Sequence, residues 1–163
     1  VIKPDSLRTH LLAAVPGLRE SAERLLVFVE DGKLQSSYQP GLSFQYQYTL
    51  ALILTDYAGS PNSLMLPVLQ WLTRHQPELL ANAARRDDIG FDVDVLADNL
   101  VDVALKLPLT ERVVVTTQPD GSFLLTHVGE PATEDYHAAS LAGGQVVDAE
   151  GALIASLPGI PLV

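Results

Sequence analysis

Hydrophobic positions along this chain repeat at two spacings, and each change of spacing marks a change of element. Leu7, Leu11, Leu12 and Val15 share one helical face, which predicts a first helix. Lys3-Pro4-Asp5-Ser6 reads as its start, with Asp5 or Ser6 capping the open N–H groups, and Pro16-Gly17 as its end. A short amphipathic piece runs from Leu18 to Arg24. LLVFVED, from Leu25, is rich in β-branched and aromatic residues and predicts a strand. Gly32 turns the chain toward a weaker strand over Lys33–Tyr38, and Pro40-Gly41 punctuates again.

The strongest pattern is SFQYQYTLALILTD, Ser43–Asp56. Phe44, Tyr46, Tyr48, Leu50, Leu52 and Leu54 alternate onto one face. The other face is polar at Gln45, Gln47 and Thr49, then apolar at Ala51 and Ile53. The first half is therefore expected to be open on one side and the second half covered on both. Such a strand runs roughly 40 Å, against a radius of gyration of about 15 Å for a domain of this size. It must cross the whole domain, and one end projects.

A second helix follows over Leu64–Gln76, with Leu64, Val68, Leu69 and Leu72 inward, Pro67 near its first turn and Pro77 stopping it. Residues 81–88 read as a polar connection. IGFDVDVL places Phe91, Val93 and Val95 inward, with Asp92 and Asp94 outward. LVDVALKL places Val101, Val103, Leu105 and Leu107 inward, and Asp98-Asn99 between the two segments reads as a hairpin turn. LTERVVVTT pairs with SFLLTHV through Pro119-Asp120-Gly121. From Gly129 the texture turns rich in Gly, Ala and acids, then closes with a small hairpin, QVVDAEGALIAS. The expected fold is α+β: a mostly antiparallel sheet packed against two main α-helices, with a C-terminal hairpin arm. Residues 1–128 form the domain, and 129–163 the linker and arm.

Length and composition narrow what this fold can do. The 163 residues fit one domain, and 47% hydrophobic content supplies a core. The chain has no cysteine, so neither a disulfide framework nor a thiolate metal site can form. Val1–Ser6 lacks a basic segment followed by an apolar run, so no secretory leader is expected, nor is a membrane span. Ten Lys+Arg against twenty Asp+Glu give a net charge of -10, which repels DNA rather than gripping phosphates.

The search for reactive groups returns none. His10, His75, His127 and His137 show no metal-ligand spacing. Asp92, Asp94 and Asp98 lack the further oxygen ligand and glycine of a calcium loop, since Leu96 and Ala97 stand there. G-x-S-x-G, G-x-G-x-x-G and the P-loop are absent. Asp135-Tyr136-His137 lies in the linker, without a rigid frame for catalysis. Phe44, Tyr46 and Tyr48 could stack bases, but no lysine or arginine occurs between Leu34 and Trp71, so they read as core or protein interface. No catalytic residue, cofactor or metal is expected.

The order of segments carries a resemblance. KPDSLR, FVEDG, LSFQYQYTLALILTDYAG, LPVLQWLTRHQPEL and LTERVVV, in that order, resemble the tail completion protein R family of contractile-tailed temperate phages, from Lys3 to about Pro131. The resemblance implies a non-enzymatic tail terminator. Such a protein forms a ring, a hexamer in related terminators, that caps the tail tube and sheath, fixes tail length and joins the head-side connector. It implies a place at the neck end of the virion tail, and in the host cytoplasm during assembly. Candidate subunit or partner contacts are Phe44, Tyr46 and Tyr48 on the long strand, and Val146, Val147, Leu153 and Ile154 on an arm that needs a covering surface. DNA would pass through the ring without tight binding, with Asp87, Asp88, Asp92 and Asp94 as candidate lining carboxylates. Two other readings remain open. A head–tail connector or stopper would sit on the head side, and a small hydrolase or ligand-binding domain would show a closed, polar-lined cavity.

Overall fold

The computed structural model describes residues 1–36, 41–131 and 141–160. Helix α1 (Lys3–Ala14) begins earlier than its local cap signals indicate. Ile2 stands at the N-cap with Pro4 in the first turn, and neither Asp5 nor Ser6 caps it. The carboxylate of Glu111, far along the chain, accepts from the Ile2 N–H at 2.8 Å and the Lys3 N–H at 3.1 Å. A carboxylate there meets both the unpaired N–H groups and the positive end of the helix dipole. The expected amphipathic piece after α1 is a run of turns closing in a short 3-10 turn, Ala22–Arg24.

The sheet is fully antiparallel, in the order β1-β2-β4-β3, with β5 also paired to β4. β1 (Leu25–Ser36) is one strand where Gly32 predicted a turn. The register shifts between Glu30 and Lys33, with Asp31 at φ 52, so the break is a bulge that bends the strand without reversing it. β2 (Phe44–Tyr57) matches the long alternating segment. Ala51, on the face without helices, is buried between Phe28 and Lys106 in register, and Ile53 is half-buried.

β4 (Val101–Thr117) joins two expected strands into one, straight through Pro108. Proline is tolerated because of where its missing N–H would point. Alternate residues of a strand direct their N–H groups to the same side. The Thr110 N–H donates to Gln76 Oε1 and not to β2, so Pro108 also faces away from β2. On that edge β3 (Gly90–Val95) reaches only to Lys106 and β5 (Phe123–Val128) begins at Arg112. Pro108 therefore sits where no ladder bond is required. The β3–β4 turn is a hairpin as expected, with Asp98 and Asn99 at φ 61 and 58.

One face of the sheet packs on α1 and α2 (Asn62–His75). Leu7 and Leu11 of α1 and Leu64, Val68, Trp71 and Leu72 of α2 are buried in one cluster with Leu50, Leu52, Leu54, Val103, Leu105 and Leu107. Leu69, expected inward, is exposed, because Leu64, Val68, Trp71 and His75 hold the inward stripe and Leu69 lies off it. Pro67 lies deeper in α2 than the first turn. The connection after α2 contains a short helix, α3 (Glu78–Ala81), and a 3-10 turn, Ala83–Arg85. Phe91 and Val95 do share the helix-side face of β3, yet they are 63% and 81% exposed. β3 is an edge strand that the two helices do not cover, so alternation set their face but left them bare.

The C-terminal hairpin, β6 (Gln145–Val147) and β7 (Leu153–Ser156), packs on α1 and α2 of its own chain. Ala155 and Leu157 are buried, Ile160 packs against the core, and Gln70 Nε2 donates to the Pro158 carbonyl at 2.9 Å. Part of the covering surface the hairpin was expected to need thus comes from its own chain, while Val147 and Leu153 stay exposed.

Candidate functional site

A dense polar arrangement lies where the start of α1, the end of α2, β4 and the end of β5 meet. Glu111 is its centre. Besides the two N–H bonds to α1, its Oε1 accepts from the Tyr48 hydroxyl at 2.5 Å, and His127 Nδ1 stands 3.4 Å from Oε2. Burial alone would raise the Glu111 pKa. The hydrogen bonds from Tyr48, Ile2 and Lys3 outweigh it and hold the carboxyl below its usual range. The same contact and burial push the Tyr48 phenol up, so it remains a neutral donor.

Lys3 is buried beside this group. Its ammonium donates to the His75 carbonyl at the end of α2, to Gln76 Oε1 at 2.9 Å and to Glu130 Oε1 at 2.9 Å. Gln76, fully buried, uses its other end to donate to Thr110 Oγ1 and Glu78 Oε1, closing the unpaired stretch of β4. The polar atoms of Lys3, Tyr48, Gln76 and Glu111 are bonded to other parts of the fold, whereas His75 Nε2 and His127 Nδ1 are buried without a hydrogen-bond partner among the described residues. The enclosed space beside Lys3, His75, Glu111 and His127 measures about 30 Å³, room for water and not for a substrate. Its chemistry locks chain segments together.

His75 and His127 border the same small cavity, and His10 lies near His75. His10 on α1 bonds the Pro67 carbonyl through Nε2 at 3.1 Å. His75 stacks on Trp71 with centroids 4.4 Å apart. His127 lies on β5, and His137, with the Asp135-Tyr136-His137 trio, lies outside the described residues. Among the described residues no group of three or more His, Asp or Glu side chains is placed to hold a metal ion.

Burial, with Lys3, His10 and Arg74 nearby, pushes the His75 pKa down to about 4. A depressed histidine stabilises the fold above its unfolded value near 6.5, and that contribution disappears as pH falls toward 4. A displacement of that size couples to roughly 3 kcal/mol. His75→Phe keeps a ring on Trp71 and removes the titration. Urea unfolding at pH 7.5 and pH 4.5 should show the parent losing about 2–3 kcal/mol more than this variant. Equal losses would show that His75 does not carry the pH dependence.

Among the candidate contact residues, Tyr48 is withdrawn. It is buried and bonded to Glu111, so it has no face for a partner. Phe44 and Tyr46 lie at the outer end of β2, half-buried, in an edge-to-face pair 5.2 Å apart. On the hairpin, Val147 and Leu153 are exposed while Val146 and Ile154 are half-buried. Sequence reading missed Leu34, Phe123 and Leu125, all exposed. Pairing the strands in register would have placed them on the same face as Phe44 and Tyr46. Of the candidate carboxylates, Asp92 and Asp94 are exposed on the sheet face away from the helices, with Asp94 directly opposite Asp102. Asp87 is exposed, and Asp88 is drawn to Arg85 at 2.8 Å.

An α+β domain whose buried polar groups bind its own segments, with apolar residues left on a projecting sheet, defines a structural protein built for contacts. The comparisons with known proteins agree. Residues 1–131 match the family of P2 phage tail completion protein R (GpR). Tail completion protein R of Escherichia phage P2 is 36% identical over 132 residues, covering 80% of this chain and 84% of that protein. No solved structure matches. The chain belongs to the tail completion protein R family, structural proteins of the phage tail.

Proposed function

We propose that this chain closes into a homo-oligomeric ring, a hexamer, at the neck end of the tail. There it caps the tube and sheath, fixes tail length and presents the surface that joins the head-side connector. The observation that carries the reading is membership of the tail completion family over residues 1–131. Two features support it. Beyond the helices β1 and β5 are the edge strands, and they leave apolar residues open at opposite edges of one sheet, which suits head-to-tail closure. The net charge of -10, with Asp92, Asp94 and Asp102 on one sheet face, suits a passage that duplex DNA traverses without adhering. Asp87, Asp92 and Asp94 are the proposed lining residues, with Asp88 held by Arg85.

Native mass spectrometry of the purified protein, with cryo-EM of the virion neck, tests the ring. Six copies in a closed ring at the head end of the tail tube is the expected result. A monomer in both settings would defeat it. An anisotropy titration with duplex DNA at physiological salt should show no binding by the ring. Salt-sensitive micromolar binding would indicate a connector that holds the genome end.

A further inference from the structure

Beyond the helical layer the sheet continues as a four-stranded wing: Lys33–Ser36 of β1, Phe44–Gln47 of β2, Thr110–Thr117 of β4, and β5. Directly opposed residues of antiparallel strands share a face, so register assigns each side chain. One face carries Lys33, Gln35, Gln45, Gln47 and Arg112, with Leu124 and Val128 exposed on it at the β5 edge. The other carries Leu34, Tyr46, Phe44, Val115, Leu125 and Phe123, and the one carboxylate on it, Glu111 opposite Tyr46, is buried against the start of α1. This apolar band crosses the wing diagonally and ends at both free edges. Leu34, on the β1 edge, is 67% exposed, and Phe123 and Leu125, on the β5 edge, are 65% and 55% exposed. The β5 sequence, FLLTHV, has no proline, lysine or carboxylate to protect its open hydrogen-bonding edge.

We propose that these two edges meet on neighbouring copies: β5 of one subunit adds to Lys33–Ser36 of β1 in the next. The occupant is a second copy of this chain for three reasons. The first is strand count. Four antiparallel strands leave β5 and β1 running in opposite directions, so copies set side by side in the same orientation pair as antiparallel neighbours. The second is continuity. Leu34 of the next copy joins the face that holds Phe123 and Leu125, and the band runs on into the adjacent wing. The third is charge. At a net charge of -10 the copies repel over most of their surface, and the band lets them approach without opposing carboxylates. The contact is heterologous, so it repeats and closes where the rotation allows. In that respect it rests on the ring reading.

The absence of cysteine makes cross-linking clean. Leu34→Cys and Leu125→Cys together, oxidised in the purified chain and in assembled tails, should give a covalent ladder, and each substitution alone should give none. A dimer from Leu125→Cys alone would mean that β5 meets β5 about a two-fold axis, which overturns the proposal. No ladder from the double variant while native mass spectrometry still shows a ring would overturn the edge assignment and leave the ring standing. Monomers in both settings would defeat the ring reading itself. Leu125→Asp supplies a second readout. It should weaken association by roughly tenfold or more, with an unchanged melting temperature in the monomer. Wild-type association by that variant would also overturn the proposal.

Discussion

Replacing Glu111 with alanine should cost the fold about 3–5 kcal/mol, the range for leaving buried charged and polar partners unpaired. The carboxylate receives the Ile2 and Lys3 N–H groups and the Tyr48 hydroxyl, and of these donors the Lys3 N–H and the Tyr48 hydroxyl are buried. No nearby side chain can replace it, since Asp5 and Ser6 do not cap α1. Glu111→Gln retains one carbonyl acceptor and should lose less than the alanine variant. Tyr48→Phe removes a single donor and should cost about 1–2 kcal/mol. Because these groups share one network, the double variant Tyr48→Phe with Glu111→Ala should lose less than the sum of the single costs. Urea midpoints at pH 7 measure all four. A cost under about 1 kcal/mol for Glu111→Ala would mean that the network is not holding α1 to the sheet.

The same network shows where sequence reading ends. Alternation in SFQYQYTLALILTD identified β2 and its faces, because periodicity is a local property of a strand. The cap of α1 could not be read, since its acceptor arrives from Glu111 on another element. Pro108 looked like a strand boundary because nothing local reveals which edge of β4 is open there. Phe91 and Val95 were assigned to the right face and the wrong environment. A pattern says which side chains point together, and only the tertiary layout says whether a helix lies over them. The hairpin at residues 145–156 follows the same rule: its apolar residues required a cover, which α1 and α2 supply to β7 at Ala155 while Val147 and Leu153 stay exposed. The contact band was half legible. Phe44 and Tyr46 stood out in a long strand, whereas Leu34, Phe123 and Leu125 acquired meaning only when register set them beside one another.

Trp71→Ala is the second large effect expected, again about 3–5 kcal/mol, the range for truncating a buried aromatic to alanine. Trp71 is fully buried, and it is the largest side chain in the core between the helices and the sheet. Its indole N–H donates to Ser6 Oγ at 3.1 Å, tying α2 to α1, and its ring lies against His75 at an interplanar angle of 28°. Truncation opens a cavity beneath both helices and leaves Ser6 without its donor. It also loosens the packing that keeps the His75 ring from water, and that burial is the main cause of its low pKa. Two results should therefore appear together. The urea midpoint should fall at pH 7, and the extra acid sensitivity assigned to His75 should shrink as its pKa returns toward 6.5. Trp71→Phe keeps most of the volume and part of the stack, so it should lose less in both respects. A large fall in stability with the acid sensitivity unchanged would separate the two effects. It would show that Trp71 fills the core without shielding the histidine beside it.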